Sequence, residues 1–153
     1  MPGPVSVYFS PNRHAADTLI GFIDRAVVSL DCAVYALTHD LISAALIRAH
    51  QRGVKVRVLM DHQQASNFYA DDEKLAAAGI PVYLDRKSGL MHNKTAVCDR
   101  GTEQAAVATG SFNWTRSADR LNAENLVIIR IPEVVETFGV EFDRLWLINT
   151  PLA

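Results

Sequence analysis

Cysteine is scarce in this sequence of 153 residues. Cys32 and Cys98 stand far apart, with no C-x-x-C pair and no set of four or six cysteines. This spacing excludes a scaffold of several disulfides and a cysteine-rich zinc site. We predict two small, buried apolar residues in strands.

Clusters with the spacing of metal ligands are also missing. Four histidines are scattered along the chain: His14, His39, His50 and His62. Asp61-His62, at the end of a predicted strand, leaves a metal site open as a minor alternative. We expect no metal and no other cofactor.

Long apolar runs are absent as well. The longest, such as 20–23 and 126–129, fall far short of the roughly 20 residues that cross a bilayer. Residues 1–11 contain no basic segment followed by an apolar one, so we expect no secretory signal in the chain as given. The expected compartment is cytoplasmic if the chain is complete, and periplasmic or extracellular if a signal preceded Met1.

Neither sign of charge is in excess. Fifteen basic and 17 acidic residues give a formal net charge of −2. This balance argues against a protein that coats nucleic acid over its whole surface, although a local basic cleft remains compatible with it. The length suits one hydrophobic core, so we expect a single domain over residues 1–153.

What the chain does contain is a regular succession of strand and helix patterns. The predicted strands are 5–9, 30–37, 54–59, 82–84, 91–98, 105–109 and 124–131. The predicted helices are 14–29, a segment from Thr38 or Asp40 to Gly53, 71–78 and a last helix beginning at Pro132. Alternation followed by consecutive strands predicts an α/β fold, a three-layer α/β/α sandwich on a mixed β-sheet.

One motif indicates chemistry: His92, Lys94 and Asp99 follow the pattern H-x-K-x-x-x-x-D. Residues two apart on a strand project to the same face, about 7 Å apart along the chain. A fixed ammonium there relieves the repulsion between a nucleophile and an anionic phosphodiester, and neutral imidazole can attack phosphorus to form a phosphohistidine. The alternative is a satisfied histidine at a strand start and a solvated lysine.

A second segment, G-S-F-N-W-T at 110–115, directly follows a predicted strand. Ser111 and Asn113 can donate hydrogen bonds to phosphate oxygens, while Phe112 and Trp114 can anchor the loop in the core. Taken alone, the segment is equally an ordinary Ser/Asn turn. Beside the histidine motif, the functional interpretation is favoured.

Glu124 opens the next predicted strand. A carboxylate there can accept the proton of one ring nitrogen of His92 and so fix the tautomer that attacks. In isolation, Glu124 is instead a surface glutamate.

Together these residues resemble the phospholipase D superfamily. The HKD motif His92, Lys94 and Asp99, the following G-S-F-N and Glu124-Asn125 are typical of it, as is the run over 34–61. A short chain with one motif is most similar to the small bacterial endonucleases of the superfamily, whose relatives include the mitochondrial cardiolipin hydrolase and piRNA nuclease. The resemblance covers nearly the whole chain.

The resemblance implies that His92 attacks phosphorus while a second histidine protonates the leaving oxygen. Lys94 and Asn113 would hold the phosphate. Asp99 would be a structural or orienting partner in the catalytic set, because strand alternation points it away from the face of His92.

Ser111 would bind substrate, and Glu124 would belong to the catalytic set as its support. Because the chain has one motif and the mechanism needs two histidines, a two-fold axis through the site would supply the second copy. The expected partner is therefore an identical chain, in an obligate homodimer. Two lysines around one phosphate would make a divalent metal unnecessary.

The substrate is less well determined. Basic residues flank the motifs at Arg86, Lys87, Arg116 and Arg120; they are either solvated charges or a groove for a nucleic-acid backbone. Nucleic acid, DNA or RNA, is the expected substrate, and no stable membrane association is expected.

The aromatic residues Phe68 and Tyr69 either pack in the core or a loop, which we favour, or stack on bases. The alternatives for the whole protein are a phospholipid hydrolase of the same chemistry and a catalytically silent phosphate-binding module. A hydrolase acting on lipid would favour an exposed amphipathic segment, and none is evident.

Overall fold

A computed structural model describes residues 2–12 and 14–152. In these residues the strands are β1 Val5–Ser10, β2 Ser29–Val34, β3 Lys55–Asp61, β4 Val82–Asp85, β5 Lys94–Cys98, β6 Ala106–Gly110, β7 Glu124–Ile129 and β8 Thr150–Pro151. The helices are α1 Ala15–Asp24, α2 Asp40–Gln51, α3 His62–Ala65, α4 Asp72–Ala77, α5 Arg116–Arg120 and α6 Pro132–Ile148.

All of these strands join one mixed sheet in the order β1-β7-β6-β5-β2-β3-β4-β8. β2, β3 and β4 run parallel, whereas β5 pairs antiparallel with β2, and β6 and β7 continue antiparallel. The carboxyl ends of β2, β3, β4 and β6 therefore meet the amino ends of β5 and β7 at one edge of the sheet. The loops at this edge carry both predicted motifs.

Helices cover both faces of the sheet, which confirms the predicted three-layer α/β/α sandwich. On one face, α1 and α2 pack against the alternate residues Leu30, Cys32 and Val34 of β2 in the main core. On the other face, α6 buries Phe142 and Leu145 against the intervening residues of β2 and β3. Nearly continuous burial along the central strands β2 and β5 is what a sheet covered on both sides requires.

Ion pairs hold α6 to the sheet. Arg57 donates to Asp31 at 2.7 Å and to Asp143 of α6 at 3.0 Å. Arg100 donates to Asp143 at 2.6 Å and to Glu136 at 2.7 Å. Because Asp143 accepts from both arginines, the helix is fixed in position over β2 and β3.

Several predicted bounds were wrong for identifiable reasons. The first helix ends at Asp24 rather than 29, because the following amides bond to Asp99 instead of continuing the helix. β5 begins at Lys94 rather than 91, because the amide of Met91 donates to Asp61 and not to a neighbouring strand. The short elements α3, α5 and β8 were not predicted.

Both cysteines are buried and free, in β2 and β5, as predicted. Among the helices formed by residues 2–12 and 14–152, none is long and apolar enough to cross a membrane.

Candidate active site

An open cavity of about 530 Å³ lies at the sheet edge where β2 and β6 end and β5 and β7 begin. It brings together five residues singled out from the sequence: His92, Lys94, Ser111, Asn113 and Glu124. The strands place them there because both motifs immediately precede or follow strands that meet at this edge.

His92 and Lys94 are in direct contact. Lys94 Nζ lies 2.9 Å from Nδ1 and 3.2 Å from Nε2 of His92, and it donates to the main-chain oxygen of His92 at 2.6 Å. The expectation that both residues lie on one strand was wrong, because His92 precedes β5. The lysine side chain folds back to reach the histidine. The ammonium and the imidazole are closer than strand spacing predicts.

Lys94 is buried, with 6% of its surface exposed, whereas His92 is exposed to solvent. Burial lowers the pKa of Lys94 below its ordinary value, and the negative charge of Glu124 opposes that shift. A cation held in a poorly solvated position attracts an anionic phosphate more strongly than one on an open surface.

Tyr35 is a site residue that the sequence did not reveal. Its ring centroid lies 4.6 Å from that of His92, and Lys94 Nζ lies 5.2 Å from the Tyr35 centroid. The Tyr35 amide donates to the main-chain oxygen of Asn93 at 2.8 Å. The available signal was its position, since an aromatic residue directly after a buried strand lies at the functional edge of the sheet.

Ser111 and Glu124 form a pair beside the histidine. Ser111 Oγ donates to the Glu124 carboxylate in a short hydrogen bond and accepts from the amide of Asn125 at 3.1 Å. One carboxylate oxygen of Glu124 is bonded to Ser111 and neither is bonded to His92 in the described residues, so the expectation that Glu124 fixes the tautomer of His92 stays a prediction. Glu124 contributes charge to the cavity.

Asn113 stands on a loop anchored by its two neighbours. Phe112 and Trp114 are each 1% exposed in the main core, as predicted. Main-chain bonds from Trp114 to Ala36 at 3.1 Å tie this loop to the end of β2. Asn113 Oδ1 is buried and has no hydrogen-bond partner in the described residues. Asn113 also lines the cavity, so its Nδ2 is the atom that could donate to a phosphate oxygen.

Two buried carboxylates hold the loop that leads to His92. Asp61 accepts from the Met91 amide at 3.0 Å, and also from the amides of Gln63 and Gln64. Asp85 accepts from the amides of Lys87 at 2.8 Å and Ser88 at 2.9 Å.

These bonds also bear on the Asp61-His62 metal alternative. Both oxygens of Asp61 are already acceptors for amides, and His62 Nδ1 lies 3.1 Å from the main-chain oxygen of Asp85. In residues 2–12 and 14–152, no group of three or more His, Cys, Asp or Glu side chains is arranged to hold a metal ion.

Asp99 follows β5 at the end opposite Lys94, in keeping with its expected role as a structural partner. Its carboxylate accepts from the amides of Val27, Val28 and Ser29 at 2.6–3.2 Å. The carboxylate thus serves as the hydrogen-bond acceptor for main-chain amides in the segment between α1 and β2. Asp99 is a structural residue that holds the beginning of β2 in position.

The flanking basic residues do not line the cavity. Arg86 and Lys87 are exposed on the loop after β4, and Arg116 lies 3.5 Å from Asp40. Arg120 lines a separate shallow cavity with Asp119. A basic groove formed by these residues therefore stays a prediction.

Comparison with known proteins adds an independent line of support. Residues 19–146 match the family model described as the PLD-like domain of cardiolipin synthase. This segment includes every cavity residue described above.

Two curated relatives match most of the chain. The mitochondrial cardiolipin hydrolase of Chlamydomonas reinhardtii is 36% identical over 148 residues, which are 95% of this chain and 65% of that protein. A phospholipase D of Rickettsia felis is 39% identical over 134 residues, which are 88% of this chain and 65% of that protein. The chain thus spans just under two thirds of the length of these relatives.

A solved structure matches end to end. The phospholipase D family member Nuc from Salmonella typhimurium superposes with a TM-score of 0.90 at 30% identity, and 97% of each chain is covered. The fold, the motif residues and the family model agree, and the chain therefore belongs to the phospholipase D superfamily, as a member with a single HKD motif.

Proposed function

We propose that this chain is a metal-independent phosphodiesterase, an endonuclease acting on DNA or RNA through a phosphohistidine at His92. The observation that carries the proposal is the contact of Lys94 Nζ with the His92 ring in an open cavity. A buried cation beside an exposed nucleophile is suited to an anionic diester, because it stabilises the charge that develops on the phosphoryl oxygens.

In the first step, a ring nitrogen of His92 attacks phosphorus. A P–N bond forms, the bond to the leaving oxygen breaks, and a second histidine donates the proton that this oxygen needs. In the second step, water attacks the phosphohistidine and gives its proton to that second histidine, which restores both groups. Lys94 and the amide of Asn113 hold the non-bridging oxygens throughout.

Among the described residues, His92 is the one histidine that lines the cavity, so the proposal takes the second histidine from another chain. His14, His39 and His62 bond to residues outside the cavity, at Asp17, Asp119 and Asp85, and His50 lies on α2 beside Gly79. A homodimer with its two-fold axis through the cavity would supply His92 of an identical chain. The exposure of His92 and the openness of the cavity are compatible with that arrangement.

The deciding experiment is cleavage of labelled DNA and RNA in excess chelator. The native chain is compared with His92→Ala and with His14→Ala, a histidine variant outside the cavity. Cleavage that is lost in His92→Ala and kept in His14→Ala supports the proposal. Cleavage that requires added magnesium or manganese contradicts the metal-free mechanism, and cleavage that survives in His92→Ala contradicts the nucleophile.

A phospholipid substrate is the second candidate, favoured by the names of the relatives, a cardiolipin hydrolase and a phospholipase D. The same protein samples are therefore assayed on cardiolipin and phosphatidylcholine vesicles. Hydrolysis of lipid that depends on His92, without cleavage of nucleic acid, would identify phospholipid as the substrate. Binding of phosphate without turnover of either would indicate a silent module.

A further inference from the structure

Two adjacent aromatic side chains are left in solvent on the loop between α3 and α4. Phe68 is 92% exposed and Tyr69 is 73% exposed, and their rings form a T-shaped pair with centroids 5.3 Å apart. The expectation that they pack in the core or a loop was wrong. Apart from Phe9, the other large hydrophobic side chains exposed in the described residues are aliphatic.

The loop that carries this pair is attached at one end to a residue that packs on His92 and at the other end to the segment after β2. Gln64 Nε2 donates to the hydroxyl of Tyr35 at 3.2 Å, and Tyr35 packs against His92. At the other end, the Asp71 amide donates to the main-chain oxygen of Leu37 at 3.1 Å. Tyr69 is five residues from Gln64, so at most about 17 Å of chain separates them.

Hydrogen bonds within the loop hold the backbone turn that carries the rings. Asn67 Oδ1 accepts from the Tyr69 amide at 3.0 Å, and the Asn67 main-chain oxygen accepts from the Ala70 amide at 3.0 Å. Ser66 Oγ donates to the main-chain oxygen of Gln63 at 2.6 Å. A preformed turn loses little conformational entropy when a ligand binds, so flat rings on it are suited to stacking.

We propose that Phe68 and Tyr69 form a stacking platform for unpaired bases of a single-stranded nucleic acid whose phosphate is bound at His92. The proposal rests on the nuclease function and specifies its substrate. Every base has an aromatic face, so stacking favours single strands without reading sequence. A duplex keeps those faces stacked on one another.

The composition of the loop favours bases over a lipid surface. Residues 62–73 contain no lysine or arginine and no aliphatic side chain larger than alanine. Segments that lie in a membrane interface combine basic residues with a broad apolar face. Two isolated rings among amides, hydroxyls and the carboxylates of residues 71–73 have neither feature.

Binding is measured by fluorescence anisotropy in the His92→Ala protein, so that the probe is not cleaved. The probes are a labelled mixed-sequence single strand, its duplex and an abasic strand of equal length. The variants are Phe68→Ala with Tyr69→Ala, the stacking-competent Phe68→Trp, and Leu147→Ala as a control whose side chain is 81% exposed on α6.

The double alanine variant is expected to bind the single strand about 5- to 100-fold more weakly. Duplex and abasic binding should change by no more than roughly twofold, as expected of surface substitutions. Phe68→Trp and Leu147→Ala should bind like the parent. Equal weakening for the abasic strand, or none for the single strand, overturns the proposal.

Two further outcomes separate this inference from the function on which it rests. If the parent binds single strands and the double variant binds equally well, only the platform fails. If the parent binds no oligonucleotide, the nuclease function fails and the platform with it. Vesicle binding lost in the double variant, with oligonucleotide binding unchanged, would assign the rings to a membrane and overturn the proposal.

Discussion

The carboxylate of Asp61 accepts a hydrogen bond from the amide of Met91 at 3.0 Å. It thereby fixes the end of β3 to the residue directly before the proposed nucleophile. Asp61 does not line the cavity, so it is a positioning residue for His92.

Asp61→Asn should slow formation of the phosphohistidine, because an amide nitrogen facing the Met91 amide cannot accept its proton. We expect kcat to fall about 10- to 100-fold with little change in KM, as for misplaced reacting groups. Rapid-quench kinetics well below the melting temperature measures this, with exposed Asp17→Asn as the matched control. An unchanged kcat would show that the Asp61–Met91 hydrogen bond is not needed to position His92.

The lowered pKa of Lys94 should limit activity at alkaline pH. Because the ammonium is the required form, kcat/KM should decline at a pH below the ordinary lysine value of about 10.4. Bound phosphate favours the charged form, so the decline in kcat should lie at higher pH. Coincident declines at the ordinary lysine value would contradict the burial of this charge.

Lys94→Met separates catalysis from stability. Loss of the cation should reduce kcat about 100- to 1,000-fold, as for removal of a group that stabilises transition-state charge. The folded-state pKa of Lys94 is depressed, so at neutral pH its charge is a cost to folding that is relieved as pH rises toward the unfolded value. The variant should therefore melt no lower than the native chain at pH 7, which calorimetry can check.

Gly110→Ala should disrupt the loop that carries Ser111 and Asn113. Gly110 has φ +140°, and an added Cβ would collide with the main-chain oxygen of Asn125. We expect a loss of about 1–3 kcal/mol in unfolding free energy, in line with backbone strain of this kind. The control is Gly21→Ala in α1, where nothing lies within 4 Å and a gain of about 0.5–1 kcal/mol is expected.

Asp143→Asn tests the attachment of α6. Burial raises the pKa of Asp143, but the hydrogen bonds and charges of Arg100 and Arg57 lower this pKa by more, so the net shift is downward. A depressed pKa contributes stability above the unfolded value, and this contribution is lost as pH falls through the folded value. Denaturant titration at pH 7 should show a loss of about 1 kcal/mol or less, given solvent screening, and the difference should shrink below about pH 4.

If two chains share one active site, as proposed, a single His92→Ala chain should inactivate the native chain with which it pairs. Differently tagged native and His92→Ala chains, purified together as a heterodimer, should be inactive, because one of the two required histidines is missing. A heterodimer of native and His14→Ala chains should keep full activity. Half activity in the His92 heterodimer, or an active monomer in sedimentation, would contradict the shared site.

Local patterns in the sequence were sufficient for the architecture and for most of the cavity. The succession of strands and helices predicted the layers, and the resemblance of the two motifs to one family grouped His92 with Ser111. Strand spacing failed at Lys94, whose flexible side chain reaches back across its own backbone. The period of a strand predicts the direction of each Cβ atom. It does not predict the position of the end of a long side chain, which depends on the contacts that the side chain makes.

The remaining errors concern bonds between distant segments. The motif indicated a structural role for Asp99 but not its partners, which are amides some 70 positions away, at Val27 to Ser29. Tyr35 and Asp61 were missed for the same reason, since each acts on the His92 loop across the sheet. The short helix α5 could have been predicted from the sequence, because Thr115 is a typical N-cap residue and accepts a hydrogen bond from the Ala118 amide.

The burial of both native thiols has a practical consequence. Removal from water raises the pKa of Cys32 and of Cys98, and neither side chain is accessible to reagents. A cysteine introduced at an exposed position, such as Tyr69→Cys, would therefore be alkylated selectively under native conditions. A fluorophore attached there would report on the aromatic loop without removal of either native cysteine.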